Sequence, residues 1–172
     1  MPLPIVLGSS SQSRKDVLKG HLNFTTVSPN IDEKSIRHQD PSVLTLLIAN
    51  AKMAAIEAKC PNSIVICLDQ VVVVNGNILE KPETKEEAKQ FINLYSKYPA
   101  ICISGLVVKN TESGEKRQCN VTATQAFKES KIPDNVIDQI VEKGNYSNLL
   151  AYDSLYPASY KTKVICPVGW LA

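Results

Sequence analysis

The sequence predicts an α/β protein whose mixed sheet is flanked by helices. Three observations predict it. The β-branched apolar run Ile64–Val74 (IVICLDQVVVV) has the make-up of a buried strand. The Asn75-Gly76 pair that follows is a strong hairpin turn. Segments of strand character alternate along the chain with segments that start and stop as helices do, and that alternation with hairpins is the pattern of a mixed sheet.

The elements follow in order. Residues 3–7 (LPIVL) read as a short buried strand. Gly8, Ser9, Ser10 and Ser11 then form a turn able to cap a helix that runs to about Leu18 and is closed by Gly20. Residues 24–27 read as a second strand, followed by the turn Ser28-Pro29-Asn30. Asp40 and Pro41 supply a capping residue and a first-position proline for a helix reaching about Cys60, with Leu44, Leu47, Ile48, Ala51 and Ala55 on one face. After the hairpin, Ile78 and Leu79 return along the central strand. Thr84 and Glu87 form a capping box that opens a helix to about Tyr95. Residues 101–109 and 116–127 read as strands joined at Ser113-Gly114, and residues 133–143 as a helix stopped by Gly144. The stretch 145–172 is rich in Tyr and Pro, and residues 161–166 within it read as a last strand.

Composition sets the limits. A chain of 172 residues with 44% hydrophobic and 21% charged residues can bury one sizeable core, so residues 1–172 read as a single domain, with room for two lobes. A formal net charge of +2 does not suggest a broad basic surface for nucleic acid or an anionic membrane. The five cysteines are scattered without a CxxC pair, which argues against a disulfide framework or a zinc site. The N-terminus lacks the basic leader and long apolar segment of a signal peptide, and no apolar stretch approaches transmembrane length. The three N-x-S/T sequons, at Asn23, Asn120 and Asn145, are then accidental, and a cytoplasmic location is expected.

Asp69, in the middle of Ile64–Val74, is the most informative residue. An unpaired carboxylate buried in such a run would cost several kcal/mol, roughly. It therefore faces a cleft at a strand end, is paired with cations or metal, or lies on the solvent face of the strand. Ser9, Ser10 and Ser11 with Arg14, at a strand-to-helix turn, offer hydroxyls, backbone amides and a bidentate donor to a phosphate; the ordinary alternative is a helix cap with a surface arginine. Lys52 shares a helical row with Ile48 and Ile56, so it either snorkels to the surface or enters a cleft. Lys81, just after the hairpin, is a loop lysine of the kind usually left to solvent. Asp32 and Glu33 follow a turn and could join Asp69 around a divalent cation, for which Mg²⁺ or Mn²⁺ bound with a phosphate substrate is the fit. Together these residues suit phosphoanhydride hydrolysis: cations for phosphates, carboxylates for metal and for activating water. There is no GxxxxGK[ST] loop, no GxGxxG and no support for a nucleophilic triad, and His21 and His38 lie in polar stretches.

The segments LGSSSQSRKDVL (7–18), PNIDE (29–33), IANAKMAA (48–55), ICLDQVVVVNGNILEKP (66–82), TKEEA after it and ISGL (103–106) resemble, in set and order, the Maf family of septum-formation-inhibitor proteins. That family's enzymes are nucleoside triphosphate pyrophosphatases. The resemblance implies an elongated mixed sheet with two lobes and a central cleft, similar to inosine-triphosphate pyrophosphatases. It implies metal-assisted attack of water at the α–β phosphoanhydride, giving a nucleoside monophosphate and pyrophosphate. By the same resemblance Asp69 is the proton acceptor, and Arg14, Lys52 and Lys81 are phosphate-binding and transition-state cations. Ser9 belongs to the phosphate-binding turn, and Glu33 is a metal-linked carboxylate beside Asp69. The implied partner is a nucleoside triphosphate, and a homodimer is expected because family members are often dimers.

Gln70 bears on the base. Members acting on dTTP and UTP usually carry Thr after the catalytic Asp, whereas those resembling 7-methyl-GTP pyrophosphatases carry Gln. The segment 95–105 also lacks the His common in the dTTP/UTP group. Both lean toward a modified purine nucleotide. The chain departs from the family at Ser13, where Arg or Trp is common before the arginine, so Ser13 is placed with Ser9, Arg14 and Gln70 among the substrate-binding residues. It departs again at 148–154 (NLLAYDS), where Asp153 stands in place of the usual base-recognition residue. Two alternatives remain open: a dTTP/UTP pyrophosphatase, and a catalytically degenerate nucleotide-binding regulator of cell division.

Overall fold

The computed structural model describes residues 2–80, 82–125, 133–142 and 163–165. These hold seven strands, β1 Ile5–Gly8, β2 Thr25–Thr26, β3 Ile64–Val74, β4 Asn77–Leu79, β5 Ala100–Asn110, β6 Lys116–Gln125 and β7 Lys163–Ile165. They also hold four α-helices, α1 Gln12–Leu18, α2 Pro41–Ile56, α3 Lys85–Tyr95 and α4 Asp134–Glu142. All the strands join one sheet in the order β2-β1-β3-β5-β6-β7, with β4 paired to β3. β1 runs parallel to β2 and to β3, Val6 lying opposite Thr25 and Val65. β4 runs antiparallel to β3 and β7 antiparallel to β6. The sheet is mixed, and the fold is the α/β class that the sequence predicts.

The described residues divide into two compact units. One comprises the residues through Gln70 with Ile103–Val121, and the other Val71–Cys102 with the described residues from Thr122 to 165.

In the first unit, α2 starts as its sequence directs. The Asp40 carboxylate accepts from the Ser42 and Val43 amides at 2.8 and 3.3 Å, with Pro41 next in line. Its buried face is Leu44, Thr45, Ile48, Ala49, Lys52, Met53 and Ile56. This corrects the predicted face: Leu47 is 43% exposed, and Ala51 and Ala55 are only half-buried. The true stripe includes Thr45 and Lys52, polar residues whose burial is made tolerable by partners that periodicity does not reveal. The helix stops at Ile56, and a 3₁₀ turn, Glu57–Lys59, carries the chain to Cys60. Residues of α2 pack on Val6, Val65, Cys67 and Val107.

Two glycines set how closely parts of this unit approach. A Cβ on Gly105 of β5 would sit 2.6 Å from the carbonyl carbon of Thr45, so only glycine lets β5 meet the backbone of α2. A Cβ on Gly8 would collide with the Cys67 Sγ and Ile56 side chains. Beside Gly105, α2 is tied to β6 through side chains. Asn120 donates to the Ser42 carbonyl and to Thr45 Oγ1, both at 3.1 Å. Asn50 donates to Gln118 at 2.9 Å and accepts from Lys116 at 2.9 Å.

Among the described residues the core of the second unit is Val74, Ala88, Ile92, Tyr95, Ala100, Ile137 and Val141. Thr84 caps α3 by accepting from the Glu87 amide at 3.1 Å. Glu87 returns a bond to the Glu83 amide at 2.7 Å, one residue earlier than an ideal capping box would place it. Asn75 and Gly76 take φ of 48° and 79°, the left-handed pair that a two-residue hairpin needs. Lys85–Glu142 and Lys89–Asp138 link α3 to α4 across the surface. No helix among the described residues is long and apolar enough to cross a membrane. The predicted stop at Gly144 lies outside the described residues.

Candidate active site

Alternation along β3 buries Val65, Cys67 and Asp69 on one face and leaves Gln70 exposed on the other. Asp69 is therefore not on the solvent side of its strand: it is 5% exposed. Lys52 reaches it from α2, one turn after Ile48 and one turn before Ile56, and is 2% exposed. Its ammonium donates to Asp69 Oδ1 at 2.8 Å and lies 3.0 Å from Glu33 Oε2. Arg14, on the first turn of α1, brings Nη2 to 3.7 Å from the same Asp69 oxygen. Arg14, Glu33, Lys52 and Asp69, scattered over 56 positions of sequence, thus form one ion cluster.

The two members of the acidic pair have separate places. Asp32 caps a 3₁₀ turn, Glu33–Ser35, by accepting from the Lys34 amide at 3.1 Å. Glu33 extends from that turn to Lys52. Ser9 is buried at the end of β1; its amide donates to the Leu7 carbonyl at 3.0 Å, and its hydroxyl accepts from the Ser11 amide at 3.1 Å. The hydroxyl keeps its own proton to donate. Ser11 is the N-cap of α1 by position, but its side chain caps no amide and instead meets Ser13 Oγ at 3.0 Å. Ser13 is half-buried and outside the ion cluster. Lys81 and Asp153 lie outside the described residues.

Beneath Asp69 on the same strand face, Cys67 is fully buried in the space Gly8 leaves open. Burial pushes its thiol up to about 12, with the Lys52 charge pulling the other way, so Cys67 forms a neutral floor to the site. Cys60 is likewise a buried free thiol.

The donor set fits a divalent cation held with a substrate. Glu33 and Asp69 converge on a single cationic point, while Asp69 Oδ2 and Glu33 Oε1 take no part in the contacts with Lys52. Among the described residues no group of three or more His, Cys, Asp or Glu forms a ready-made cage. Two carboxylates with open coordination are what Mg²⁺ uses when phosphate oxygens and water complete its shell.

Sequence reasoning gathered Ser9, Arg14, Glu33, Lys52 and Asp69 as candidates, and the fold brings the last four together. It did not find the cap at Asp32, although Asp before a short polar turn is a recognised signal. Gly105 also carried a signal, since glycine inside a strand marks close backbone approach. Asn120 carried none.

Fold and cluster define a class: an open mixed α/β sheet that buries a charge-compensated ionic site against one helix. The chain belongs to the Maf-like protein family, whose sequence model matches residues 4–153. It is similar to the 7-methyl-GTP pyrophosphatase of Dictyostelium discoideum, with 43% identity over 152 residues, covering 83% of this chain and 76% of that one. It is 40% identical over 124 residues to the 7-methyl-GTP pyrophosphatase of Idiomarina loihiensis, covering 70% of this chain and 61% of that one. A dTTP/UTP pyrophosphatase of Pyrococcus furiosus is 34% identical over 92 residues, covering 54% of this chain and 48% of that one.

Proposed function

We propose that this chain is a nucleoside triphosphate pyrophosphatase that hydrolyses the α–β phosphoanhydride of a modified purine nucleotide of the 7-methyl-GTP type. The single observation that carries the reading is the buried Lys52 ammonium shared by Asp69 and Glu33. Burying such charges costs several kcal/mol per ion, roughly, and apolar residues of similar size would stabilise the fold as well or better. Family membership and the 7-methyl-GTP pyrophosphatases among the relatives support the reaction, and Gln70 after Asp69 supports the base.

In this reading Asp69 takes the proton of the attacking water. Lys52 holds Asp69 oriented, and with Arg14 and Lys81 it offsets charge gathering on the phosphate oxygens. Ser9 donates its hydroxyl to a phosphate oxygen, and Ser13 borders the same turn. Gln70, open to solvent, meets the rest of the nucleotide. Glu33 and Asp69 would hold Mg²⁺ or Mn²⁺, which when bound draws charge from the phosphate oxygens. A cytoplasmic setting and a homodimer complete the proposal.

The test is pyrophosphate release from 7-methyl-GTP, dTTP, UTP and the standard triphosphates, with Mg²⁺ or Mn²⁺ and with EDTA. Release with 7-methyl-GTP preferred is expected, as is its loss in Asp69→Asn and in EDTA. A preference for dTTP or UTP would favour the reading that the Pyrococcus relative suggests. No release from any substrate would leave the nucleotide-binding regulator.

A further inference from the structure

We propose that Asp32 is a positioning residue: its side chain holds the one-turn helix that aims Glu33 at Lys52, and it does so as a hydrogen-bond acceptor, not as a charge or a metal ligand. Lys52 is fixed by burial in the core face of α2, so it cannot follow Glu33; the loop must bring the glutamate to the lysine. Burial alone does not fix Glu33, its side chain being 49% exposed. It rides on a single 3₁₀ turn, which has poor hydrogen-bond geometry and no neighbouring turns to support it.

Asp32 is the hub of that turn. Its Oδ1 accepts from the Lys34 amide at 3.1 Å. Its carbonyl accepts from the Ser35 hydroxyl at 2.7 Å and from the Ser35 amide at 3.3 Å. The turn closes with the Ile36 amide donating to the Glu33 carbonyl at 3.2 Å. Just upstream, Asn30 takes a left-handed φ of 44° and accepts from the Ser28 hydroxyl at 2.8 Å, so the chain enters the turn along a fixed path. A capping role is met as well by Asn as by Asp. The acidic pair, alike in sequence, is then divided: Asp32 shapes the loop and Glu33 meets the charge.

The activity arm of the test rests on the proposed pyrophosphatase reading; the stability arm does not. For pyrophosphate release, Asp32→Ala is expected to lower kcat/KM about five- to tenfold, the size of a lost cap. Asp32→Asn is expected to stay within about twofold of the parent, since Asn caps as well as Asp. An Asp32→Asn loss equal to that of Asp32→Ala, or no loss in Asp32→Ala, would overturn the proposal. If the parent protein releases no pyrophosphate the functional reading falls, and a double-mutant cycle in urea then decides the positioning role alone. Asp32→Ala and Glu33→Gln combined should shift the unfolding midpoint by less than the sum of the single shifts, because the first acts through the second. Additive shifts would overturn it.

Discussion

The two units treat charge in opposite ways. In the first, Lys52 and Asp69 are sunk into the core beside Met53, Ile56 and Cys67. In the second, Lys85–Glu142 and Lys89–Asp138 stay on the surface, with side chains 45–72% exposed, and no charged residue is buried among the described residues of that unit. Exposed pairs of this kind contribute about 0–1 kcal/mol. A buried pair is hazardous to break and dispensable for folding. The contrast teaches where to look for chemistry: the α3–α4 surface pairs show how this chain joins helices without burying charge, and among the described residues the first unit departs furthest from that practice at Lys52 and Asp69.

The largest test breaks the buried pair. Lys52→Met leaves Asp69 with Arg14 at 3.7 Å as its nearest cation among the described residues and should cost about 3–5 kcal/mol in urea unfolding. Adding Asp69→Leu should restore stability to near the parent value while pyrophosphate release stays absent. A double variant as unstable as the single one would mean that the cluster serves the fold.

Next comes Gly105→Ala. The new methyl meets the Thr45 backbone at 2.6 Å, so α2 must shift from β5, at about 1–3 kcal/mol. Because Lys52 rides on α2, kcat should fall together with thermal stability.

Raising the pH compares the two cores through their neutral titratable groups. Burial pushes both the Cys67 thiol and the Tyr95 phenol up to about 12. Both are protonated in folded and unfolded chains at neutral pH. Above about pH 9 the unfolded chain loses those protons first, so stability falls as pH rises toward 12. Circular dichroism at graded pH should show that fall, with Cys67→Ala and Tyr95→Phe each making it shallower.

The smallest effects belong to the second unit's surface. Thr84→Ala removes the α3 cap and should cost about 1 kcal/mol. Lys89→Ala should leave the unfolding midpoint close to that of the parent, as expected for an exposed pair. A larger loss at Lys89 would erase the contrast between the units.

What was legible in the sequence follows from which forces are local. β3 was read to the residue because its β-branched run and the Asn75-Gly76 turn are self-contained signals. The start of α3 was legible in Thr84 and Glu87, and that of α2 in Asp40 and Pro41. The buried face of α2 was not. Periodicity treats Thr45 and Lys52 as solvent-seeking, while Asn120 and Asp69, 75 and 17 positions away, satisfy them inside. The same limit applied to Asp69, whose exposure could not be told from its strand alone, and to Asp32 and Glu33, which differ only in what the folded loop presents to Lys52. Their family roles came from resemblance; their meeting came from the fold.

Counted as charges, Arg14 and Lys52 against Glu33 and Asp69 sum to zero. A neutral cluster exerts little pull on a polyanion beyond a Debye length of about 8 Å at physiological salt. A triphosphate would then arrive largely undirected by these four residues and be sorted only at contact, when its own oxygens compete with Glu33 and Asp69 for Lys52. In the proposed reading, selection at this cluster would be a matter of exchange between anions at close range and would owe little to long-range steering.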